Sequence, residues 1–372
     1  MAKVLLLAGE ESGVLYAKGI AKCILKSHPD AEIRGYGDYG FETHDLAVMG
    51  FFGVLRRIFF FLRVKKTMMR AIDEWRPDVL CTVDYPGMNL RLAAHAKSRG
   101  IRTVHVVCPQ VWAWRQWRIP KIEAAVSKLC CFFPVEPAIF KPGVAEFVGH
   151  PLAGGFPELR GDGSAKGPSG RKTIAILPGS RMREIEMFLP ILLDAAKGLD
   201  ADIEIPAANE RALHAIRRIS GRPGSPPVKI LEGGARELLM RADCAAVASG
   251  TATLEAALAR CPTVVVYKVS AIMAAILRRM ITGVKHVGLA NVIWEKSADG
   301  RKEGEEAPMP ELLQEDFTAE NVRRQLSAWL ESESAAAAAV RRIDGAVSLL
   351  KSRGDTMSLI ASALELPDEK PS

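Results

Sequence analysis

The chain lacks the patterns that mark metalloproteins and disulfide-rich proteins. Its 372 residues include seven cysteines, an odd number, and no two of them have the C-x-x-C spacing of a zinc or redox motif. Most of these cysteines lie in apolar runs such as "KLCCFFP", which predicts reduced, buried thiols in a cytosolic protein. The seven histidines form no ligand-spaced cluster with the acidic residues. We therefore expect no bound metal and no cofactor.

Long hydrophobic runs are also missing. The sequence has no uninterrupted apolar stretch of about 18 residues, so it predicts no membrane-spanning helix. The opening "MAKVLLLAGEESG" contains an apolar run that is too short for a signal peptide. The net charge of +7 favours an acidic partner such as nucleic acid, an anionic lipid or a phosphorylated substrate. Nucleic acid is the least favoured of the three, because the basic residues are not concentrated in a recognisable binding module.

Acidic residues are absent from Leu46 to Ile72, around the stretch "FFGVLRRIFFFLRVKKTMMR" at residues 51–70. This stretch has twelve apolar and six basic residues. On a helical wheel, Phe60 and Phe61 lie among the arginines, and that mixture of aromatic and basic side chains suits a lipid interface. A core helix with a solvated basic face is the alternative. The stripe that a core could bury contains Phe51, Leu55, Ile58, Phe59, Leu62 and Met69.

What the sequence does contain is a repeated alternation of short apolar runs and helix-length amphipathic segments. Near-continuous apolar strands separated by helices predict parallel sheets that are covered on both faces. The Gly-, Pro- and Ser-rich segment at residues 157–172 is the expected boundary between two doubly wound α/β domains. We predict an N-terminal domain at 1–160, a C-terminal domain at 161–345 and a C-terminal helix and tail at 346–372. Ligands are expected in the cleft between the domains, at the carboxyl ends of the strands.

Three strand-to-helix turns in the second half are suited to an anion. They occur in "ILPGSRMREIE", "ILEGGARELL" and "AVASGTATLEAALA", and backbone N–H groups at such turns can bind phosphate oxygens. Arg181 adds a two-pronged donor, and Glu255 could accept hydrogen bonds from a ribose diol. Tight turns that simply need glycine are the alternative. The pattern is neither a Walker loop nor a GxGxxG motif, and it suggests a nucleoside diphosphate. The predicted contacts are Gly179, Ser180, Arg181, Gly233, Ser249, Gly250, Thr251 and Glu255.

The first half contains one strong candidate for a general base. Asp84 ends an apolar strand in "VLCTVDYPGMNLRLA", where a partly dry surrounding would raise the pKa of its carboxyl group. The alternative is a turn or N-cap aspartate, a role that Asn89 could share. Glu10 and Glu11 compete for the role of base, and His105 and His150 are weaker candidates. The segment "PQVWAWRQWRIPKI" interleaves tryptophan with basic residues and suits either a packed turn or stacking on sugars or bases.

These segments, in this order, resemble the lipid-A-disaccharide synthase family of GT-B-type glycosyltransferases. The matching stretches are "LAGEESG", "LAVMGFFGVLRR", "VDYPGMN", "PQVWAWRQWRIPKI", "FFPVEPAIF", "FVGHPLA", "LPGSRMREIEMFLP", "SGTATLEAALARCPTVVVYK", "GLANVI" and "PMPELLQ". The resemblance covers roughly residues 3–330. It implies two Rossmann-like domains that face a cleft, followed by C-terminal helices.

The resemblance also implies a reaction. The family joins UDP-2,3-diacylglucosamine to 2,3-diacylglucosamine 1-phosphate (lipid X) in lipid A, and hence lipopolysaccharide, biosynthesis in Gram-negative bacteria. The family is inverting and metal-independent, and it works at the cytoplasmic side of the inner membrane. On this basis Asp84 is the expected base, Arg181 stabilises the leaving UDP, and Asn291 joins the UDP-binding residues. Further cleft positions, on the acceptor side or of undefined role, are Glu11, Ser12, Gly13, Asn89, Glu311 and Gln314.

The resemblance changes the interpretation of the Phe-rich stretch, because an enzyme with two acylated substrates needs an apolar, cationic surface beside its cleft. We predict a docking helix that does not span the bilayer, and a homodimer through the C-terminal helices. Another UDP-sugar enzyme of GT-B type is one alternative. An inactive lipid- or nucleotide-binding homologue is another, because Val14 replaces the usual family aspartate. The predicted docking residues are Phe51, Phe52, Phe59, Phe60, Phe61, Arg56, Arg57 and Arg63.

Overall fold

The structure is a computed structural model that divides the chain into two compact units. Unit 1 comprises Met1–Pro151 with Leu350–Ser372, and unit 2 comprises Leu152–Leu349. Most of the predicted boundary segment, Phe51, Phe52 and Arg56 lie outside the described residues. The structure describes residues 1–46, 57–156, 170–280, 283–297, 306–351 and 354–367.

Unit 1 is built on a parallel sheet of six strands in the order β2-β1-β3-β4-β5-β6. The central strands are buried along almost their whole length, as expected for apolar runs covered on both faces. The strands are β1 (Lys3–Ala8), β2 (Glu32–Arg34), β3 (Val79–Val83), β4 (Arg102–Val106), β5 (Lys128–Cys131) and β6 (Ala145–Phe147). The helices are α1 (Glu11–Ser27), α2 (Thr43–Leu46), α3 (Ile58–Trp75), α4 (Pro86–Ser98) and α5 (Ile119–Ala125).

Unit 2 has a second parallel sheet of six strands, in the order β12-β11-β10-β7-β8-β9. The strands are β7 (Lys172–Leu177), β8 (Ala201–Ala207), β9 (Lys229–Glu232), β10 (Cys244–Ala248), β11 (Thr263–Tyr267) and β12 (Glu311–Leu313). The helices are α6 (Met182–Ala196), α7 (Glu210–Ser220), α8 (Ala235–Arg241), α9 (Thr251–Leu258), α10 (Ala271–Met280), α11 (Leu289–Lys296), α12 (Ala319–Glu331) and α13 (Glu333–Ser348). The predicted α/β class with two doubly wound sheets is therefore confirmed.

The strands that sequence patterns did not predict are both short edge strands. β6 and β12 have three residues each, and their side chains are only partly buried or exposed. Such strands carry no continuous apolar run, so tertiary pairing decides them. By contrast, the predicted helices near the end of unit 2 have side-chain caps. Thr318 and Ser332 accept backbone hydrogen bonds at the starts of α12 and α13.

The C-terminal helix α14 (Thr356–Ala363) packs against α1 within unit 1. Ile360 and Leu364 are fully buried in the same core cluster as β1 and β3. Arg102 ties this end of the chain down, because its guanidinium donates to the carbonyl oxygen of Ala363 at 3.0 Å and pairs with Glu365 at 2.7 Å. The end of the chain thus completes the core of the first unit.

Helix α3 contains the described part of the Phe-rich stretch, and its orientation corrects the helical-wheel prediction. Phe60 and Phe61 are half-buried, and Phe60 packs on Phe41 with ring centroids 6.1 Å apart. The outward side chains are those of Ile58, Phe59 and Leu62, of which Phe59 is 83% exposed. The helical wheel predicts the reverse, with Ile58, Phe59 and Leu62 in the buried stripe and Phe60 and Phe61 on the outer face. The first turn is apolar on every side, so the aromatic surface of Phe41 selects the inner face. The buried stripe of the helix is Val64, Met68, Ala71 and Ile72.

Among the helices formed by the described residues, none combines the length and the apolar character needed to cross a bilayer.

Candidate functional site

The carboxyl edge of the unit 2 sheet contains a cavity of about 420 Å³. Four neighbouring strands, β10, β7, β8 and β9, end at it, and each contributes the turn that follows. This size falls within the range of small-molecule sites. The lining includes Gly179, Ser180, Arg181, Gly233, Ser249, Gly250, Thr251 and Glu255, which are the eight residues predicted from the three turns. The fold thus brings all three predicted turns to one cavity.

The turn after β7 places an arginine at the start of a helix. Gly179 has φ +102°, a conformation that L side chains rarely adopt. Arg181 is the N-cap residue of α6, so its side chain leaves the chain where the helix dipole is positive. Its guanidinium Nη1 donates to Glu184 Oε1 at 2.7 Å, and this hydrogen bond raises the pKa of Arg181 above its usual value. The positive end of α6 and the guanidinium charge of Arg181 both favour an anion in the cavity.

The turns after β9 and β10 complete the lining. Gly233 and Gly234 both have left-handed backbones, at φ +78° and +70°, and lead into α8. Glu255 lies in α9, where burial raises the pKa of its carboxyl group, and the nearby Arg236 partly offsets the rise. A half-buried carboxyl group beside the cavity suits the predicted contact with a sugar diol.

The turn after β8 also lines the cavity, and the sequence analysis did not single it out. The lining residues here are Pro206 and Ala207, the last two residues of β8, and Ala208 directly after them, and none of the three is charged or a glycine. Their small side chains leave room beside the β7 turn. The available signal was topological only, since β8 is the neighbour of β7 and ends at the same edge of the sheet.

Asn291, Glu311 and Gln314 do not appear in the lining of this cavity. Asn291 is fully buried, and its amide nitrogen donates to the Met309 carbonyl oxygen and to Glu311 Oε1 at 2.7 and 2.8 Å. Glu311 accepts hydrogen bonds from the backbone N–H groups of Val287 and Gly288. Asn291 and Glu311 therefore have a structural role, and the contact between Asn291 and UDP stays a prediction. Together they hold the segment before α11.

In unit 1, Asp84 follows β3 in a strained turn. Asp84 and Tyr85 both have positive φ, at 49° and 51°, which costs non-glycine residues on the order of 1–3 kcal/mol each. The backbone N–H of Asp84 donates to the Val106 carbonyl oxygen at 2.9 Å. Burial raises the pKa of the Asp84 carboxyl group, while the hydrogen bond from the Tyr85 N–H partly opposes this. A half-buried carboxylate with a raised pKa is what a general base requires.

Asn89 stabilises this turn from the protein interior. It is fully buried, and its amide nitrogen donates to the carbonyl oxygens of Asp84 and Val83 at 2.8 and 3.2 Å. The Tyr36 hydroxyl donates to Asn89 Oδ1 at 2.7 Å. The side chain thus stabilises the strained backbone at Asp84. Its predicted contact with the acceptor substrate stays a prediction.

The first strand-to-helix turn of unit 1 lies beside Asp84. Burial raises the pKa of Glu10, and the negative charge of Asp84 raises it further, so the two carboxyl groups are electrostatic neighbours. Ser12 is exposed and Gly13 is buried at the start of α1. Glu11 begins that helix, but its side chain lies outside the described ones. Val14 packs against the core cluster of β1 and β3.

Comparison with known proteins identifies the family. The family model described as lipid-A-disaccharide synthetase matches residues 4–361. This chain belongs to that family. The lipid-A-disaccharide synthase of Neisseria meningitidis serogroup B is 35% identical over 96% of this chain and 95% of its own. The synthase of Aromatoleum aromaticum is 33% identical over 100% of this chain and 98% of its own.

Solved structures show the fold that the family shares with other enzymes. MurG of Acinetobacter baumannii has a TM-score of 0.60 at 14% identity and covers 98% of this chain and 99% of its own. MnaA of S. aureus, solved with UDP, has a TM-score of 0.57 at 13% identity, over 100% and 99% of the two chains. At such low identity these likenesses concern the fold alone. They confirm the predicted GT-B class.

The histidines considered as bases are core residues in this lipid-A-disaccharide synthetase family member. His105 is fully buried next to Thr82 Oγ1 at 2.7 Å, and burial lowers its pKa to about 3. His150 packs between the rings of Phe132 and Phe133, and burial lowers its pKa to about 4. Both are neutral at pH 7 and contribute to packing, whereas Asp84, Glu10 and the Tyr85 hydroxyl are titratable groups at this edge of the sheet.

The family's Trp-rich segment is anchored by a buried carboxyl group. Trp112 Nε1 donates to Glu136 Oε1 at 3.1 Å, and burial raises the pKa of Glu136 to about 8. The thiols of Cys108 and Cys131 lie next to Glu136. The two sulfur atoms and a carboxylate oxygen of Glu136, which are atoms that could bind a metal ion, are within 4.8 Å of one another. Cys131 and Glu136 are close in sequence, but Cys108 lies in a separate segment, so spacing could not reveal this cluster. Unlike Trp112, Trp117 is 67% exposed beside Lys121.

Proposed function

We propose that this chain is a lipid-A-disaccharide synthase that transfers a diacylglucosaminyl group from UDP-2,3-diacylglucosamine to lipid X. The acceptor 6-hydroxyl oxygen forms a bond to the anomeric carbon of the donor, and the bond from that carbon to the UDP oxygen breaks. The products are the β-1,6-linked lipid A disaccharide 1-phosphate and UDP. The observation that carries the proposal is the family match over residues 4–361, together with a cavity assembled from four strand ends whose glycine turns and arginine suit an anion.

Asp84 acts as the base in this proposal. Its carboxylate takes the proton of the attacking hydroxyl group, so the nucleophile gains charge as the new bond forms. The raised pKa matches this task because a carboxylate that is too weakly basic would leave the proton in place. Attack from the side opposite UDP inverts the anomeric carbon. The negative charge of the Asp84 carboxylate in turn raises the pKa of Glu10.

Arg181 and the turns of unit 2 stabilise the leaving diphosphate. Negative charge develops on the UDP oxygen as the glycosidic bond breaks, and fixed donors at that position lower the barrier. The guanidinium of Arg181, the glycine turns and the positive ends of α6 and α9 supply those donors from the protein itself. We therefore propose metal-independent catalysis, in which these groups perform the charge neutralisation.

Helix α3 supports a peripheral position at the cytoplasmic face of the inner membrane. Its outward apolar residues Ile58, Phe59 and Leu62 are interleaved with the exposed Arg63 and Lys66. An apolar surface bordered by cations suits insertion between anionic headgroups, and both substrates carry acyl chains that reside in that bilayer. We propose that this surface docks the enzyme beside its substrates.

A homodimer through the C-terminal helices stays a prediction. Because α14 packs on α1 of its own chain, an exchange would place the same contacts of Ile360 and Leu364 between two chains. Light scattering on the purified chain measures this directly. A monomer at micromolar concentration would contradict the exchange.

The decisive experiment supplies UDP-2,3-diacylglucosamine and lipid X in detergent–lipid micelles and follows the disaccharide product by mass spectrometry. We expect product and UDP in equal amounts, with EDTA leaving the rate unchanged. UDP binding by calorimetry is measured in parallel. A chain that binds UDP but forms no disaccharide would favour the alternative of an inactive nucleotide-binding homologue.

A further inference from the structure

Glu184 occupies an unexpected position for an acid, because it lies in a cavity that otherwise favours anions. It is in the first turn of α6, three residues after Arg181, and lines the same cavity. Its Oε1 accepts the hydrogen bond from Arg181 Nη1 at 2.7 Å. The side chain of Glu184 is only 16% exposed, whereas that of Arg181 is 67% exposed. The guanidinium of Arg181 thus faces solvent and is hydrogen-bonded to a nearly buried carboxylate.

The position of Glu184 is defined by the glycine turn next to it. A Cβ atom on Gly179 would collide with Glu184 Oε2 and would lie 3.0 Å from Glu184 Cβ. The carboxylate therefore packs directly on the backbone of the turn, in space that any other residue at 179 would fill. Gly179 is needed here for close approach as well as for its φ of +102°.

A negative charge in this cavity repels a diphosphate, so its presence needs a compensating effect. The effect available is orientation of Arg181, since a free arginine side chain loses rotamer entropy when it is immobilised. Glu184 uses one guanidinium N–H and leaves the others for phosphate oxygens. An arginine that is oriented before the nucleotide arrives avoids that cost during binding and reaction.

We propose that Glu184 is a positioning residue that orients Arg181 toward the diphosphate of the donor. The inference rests on the proposed function, because it assumes that a nucleoside diphosphate binds in this cavity. Glu184 would then belong to the anion site together with Arg181, and Gly179 would provide the space for the Glu184 carboxylate. A purely structural role is the alternative, in which an acid in the first turn stabilises α6 through the helix dipole.

A double-mutant cycle on UDP binding separates the two roles. Calorimetry with free UDP is carried out on the wild-type chain, Glu184→Ala, Arg181→Ala and the double variant, with Glu184→Gln as the conservative replacement. We expect Glu184→Ala to weaken UDP binding about tenfold when Arg181 is present and to have almost no effect when it is absent. Glu184→Gln keeps an acceptor for the guanidinium and removes the repulsive charge, so its affinity should match or exceed that of the wild type.

Glu186→Ala is the matched control. Glu186 lies on the same helix, is 55% exposed and pairs with Arg218 at 3.1 Å, so its loss removes an acid from α6 without touching the cavity. Thermal unfolding of every variant reports any loss of helix stability. Equal effects of Glu184→Ala with and without Arg181, or wild-type affinity in Glu184→Ala, would overturn the proposal while leaving the proposed function intact. Failure of the wild-type chain to bind UDP would overturn both.

Discussion

The carboxyl edges of the two sheets have opposite designs. In unit 2 the cavity is lined by the glycine turns after β7, β9 and β10, by small residues at the end of β8, and by the side chains of Arg181, Glu184 and Glu255. In unit 1 the candidate base is a side chain on a strained turn, and buried neighbours such as Asn89 and Tyr36 hold it in place. The unit 2 edge combines several backbone turns with one arginine, whereas the chemistry proposed for the unit 1 edge depends on the half-buried carboxylate of Asp84, with Glu10 beside it.

The difference follows from the chemistry that each edge is proposed to perform. A diphosphate has many oxygens and is satisfied by repeated backbone N–H groups, which glycine turns expose at low cost. A base must have one carboxylate at one point with a raised pKa, and this requires burial and fixed backbone. Strain at Asp84 and Tyr85 is therefore tolerated where interior hydrogen bonds oppose it.

The largest expected effect comes from removing the proposed base of unit 1. Asp84→Asn keeps the size of the side chain and removes its basicity, so turnover should fall by roughly 10²–10⁴-fold, the usual contribution of a general base. UDP affinity, which belongs to unit 2, should not change. Disaccharide formation and UDP calorimetry measure the two separately. A near-normal rate in this variant would exclude Asp84 as the base.

The pH profile sharpens the same assignment. A base must be deprotonated, so kcat/KM of the wild type should decrease as the pH falls through the raised pKa of Asp84. This acidic limb should lie above the range of an ordinary aspartate and should be missing from the residual activity of Asp84→Asn. An unchanged limb in the variant would assign it to another group, with Glu10 the first candidate.

The second effect tests the donor side. Arg181→Lys retains the positive charge but loses the planar fork that binds two oxygens at once. We expect turnover to fall by about 10²–10³-fold, as for the loss of a donor to developing negative charge. UDP binding should weaken as well, unlike in Asp84→Asn. If lysine supports the wild-type rate, charge alone suffices and the geometric part of the comparison is incorrect.

A third and smaller effect concerns the outer face of α3. Phe59→Ser with Leu62→Ser removes two outward apolar side chains, each worth about 1.5–3 kcal/mol when fully buried, so binding to anionic liposomes should weaken roughly 100-fold. Leu15→Ser is the matched control. Leu15 is likewise an exposed apolar side chain, at 70%, but it lies on α1. Vesicle cosedimentation measures binding. Equal binding of the double variant and the control would contradict docking through α3.

The smallest expected effect compares two buried carboxyl groups. Glu204 in unit 2 is paired with Arg241 and Lys229, whereas Glu136 in unit 1 accepts from the neutral donors Trp112 and Phe133 and has its pKa raised to about 8. Glu136 therefore keeps a proton at pH 7 that unfolding would release. Its contribution to the free energy of unfolding is full below the unfolded pKa and is lost as the pH rises through about 8.

Denaturant unfolding at several pH values between 6 and 8 tests this prediction. The wild type should lose at most about 1.4 kcal/mol of stability per pH unit from this group. Glu136→Gln cannot titrate, so the slope should decrease even if its stability is lower overall. His150 and His105, whose pKa values burial lowers to about 4 and about 3, add a slope of opposite sign up to the unfolded histidine pKa of about 6.5, and this slope is common to wild type and variant. The same slope in wild type and variant would show that Glu136 is ionised in the folded protein.

The sequence alone was sufficient for the central strands, the three glycine turns and the position of Asp84 at a strand end. These features depend on local patterns: apolar runs of strand length, and glycine or aspartate directly after them. The family could also be inferred from the order of short motifs such as "LPGSR" and "SGTATLE". Parallel strands end at one edge of a sheet, so neighbouring strand ends meet without further information.

Only the tertiary structure decided which polar residues are occupied inside the protein. Asn89 and Asn291 have the same chemistry as ligand-binding amides, yet both are fully buried and hydrogen-bonded to protein atoms. It also decided that Phe59 faces outward and Phe60 inward, because a periodic pattern defines faces but does not say which face meets a partner. The contacts made by Glu184 likewise depend on the distance of its carboxylate from the Gly179 backbone.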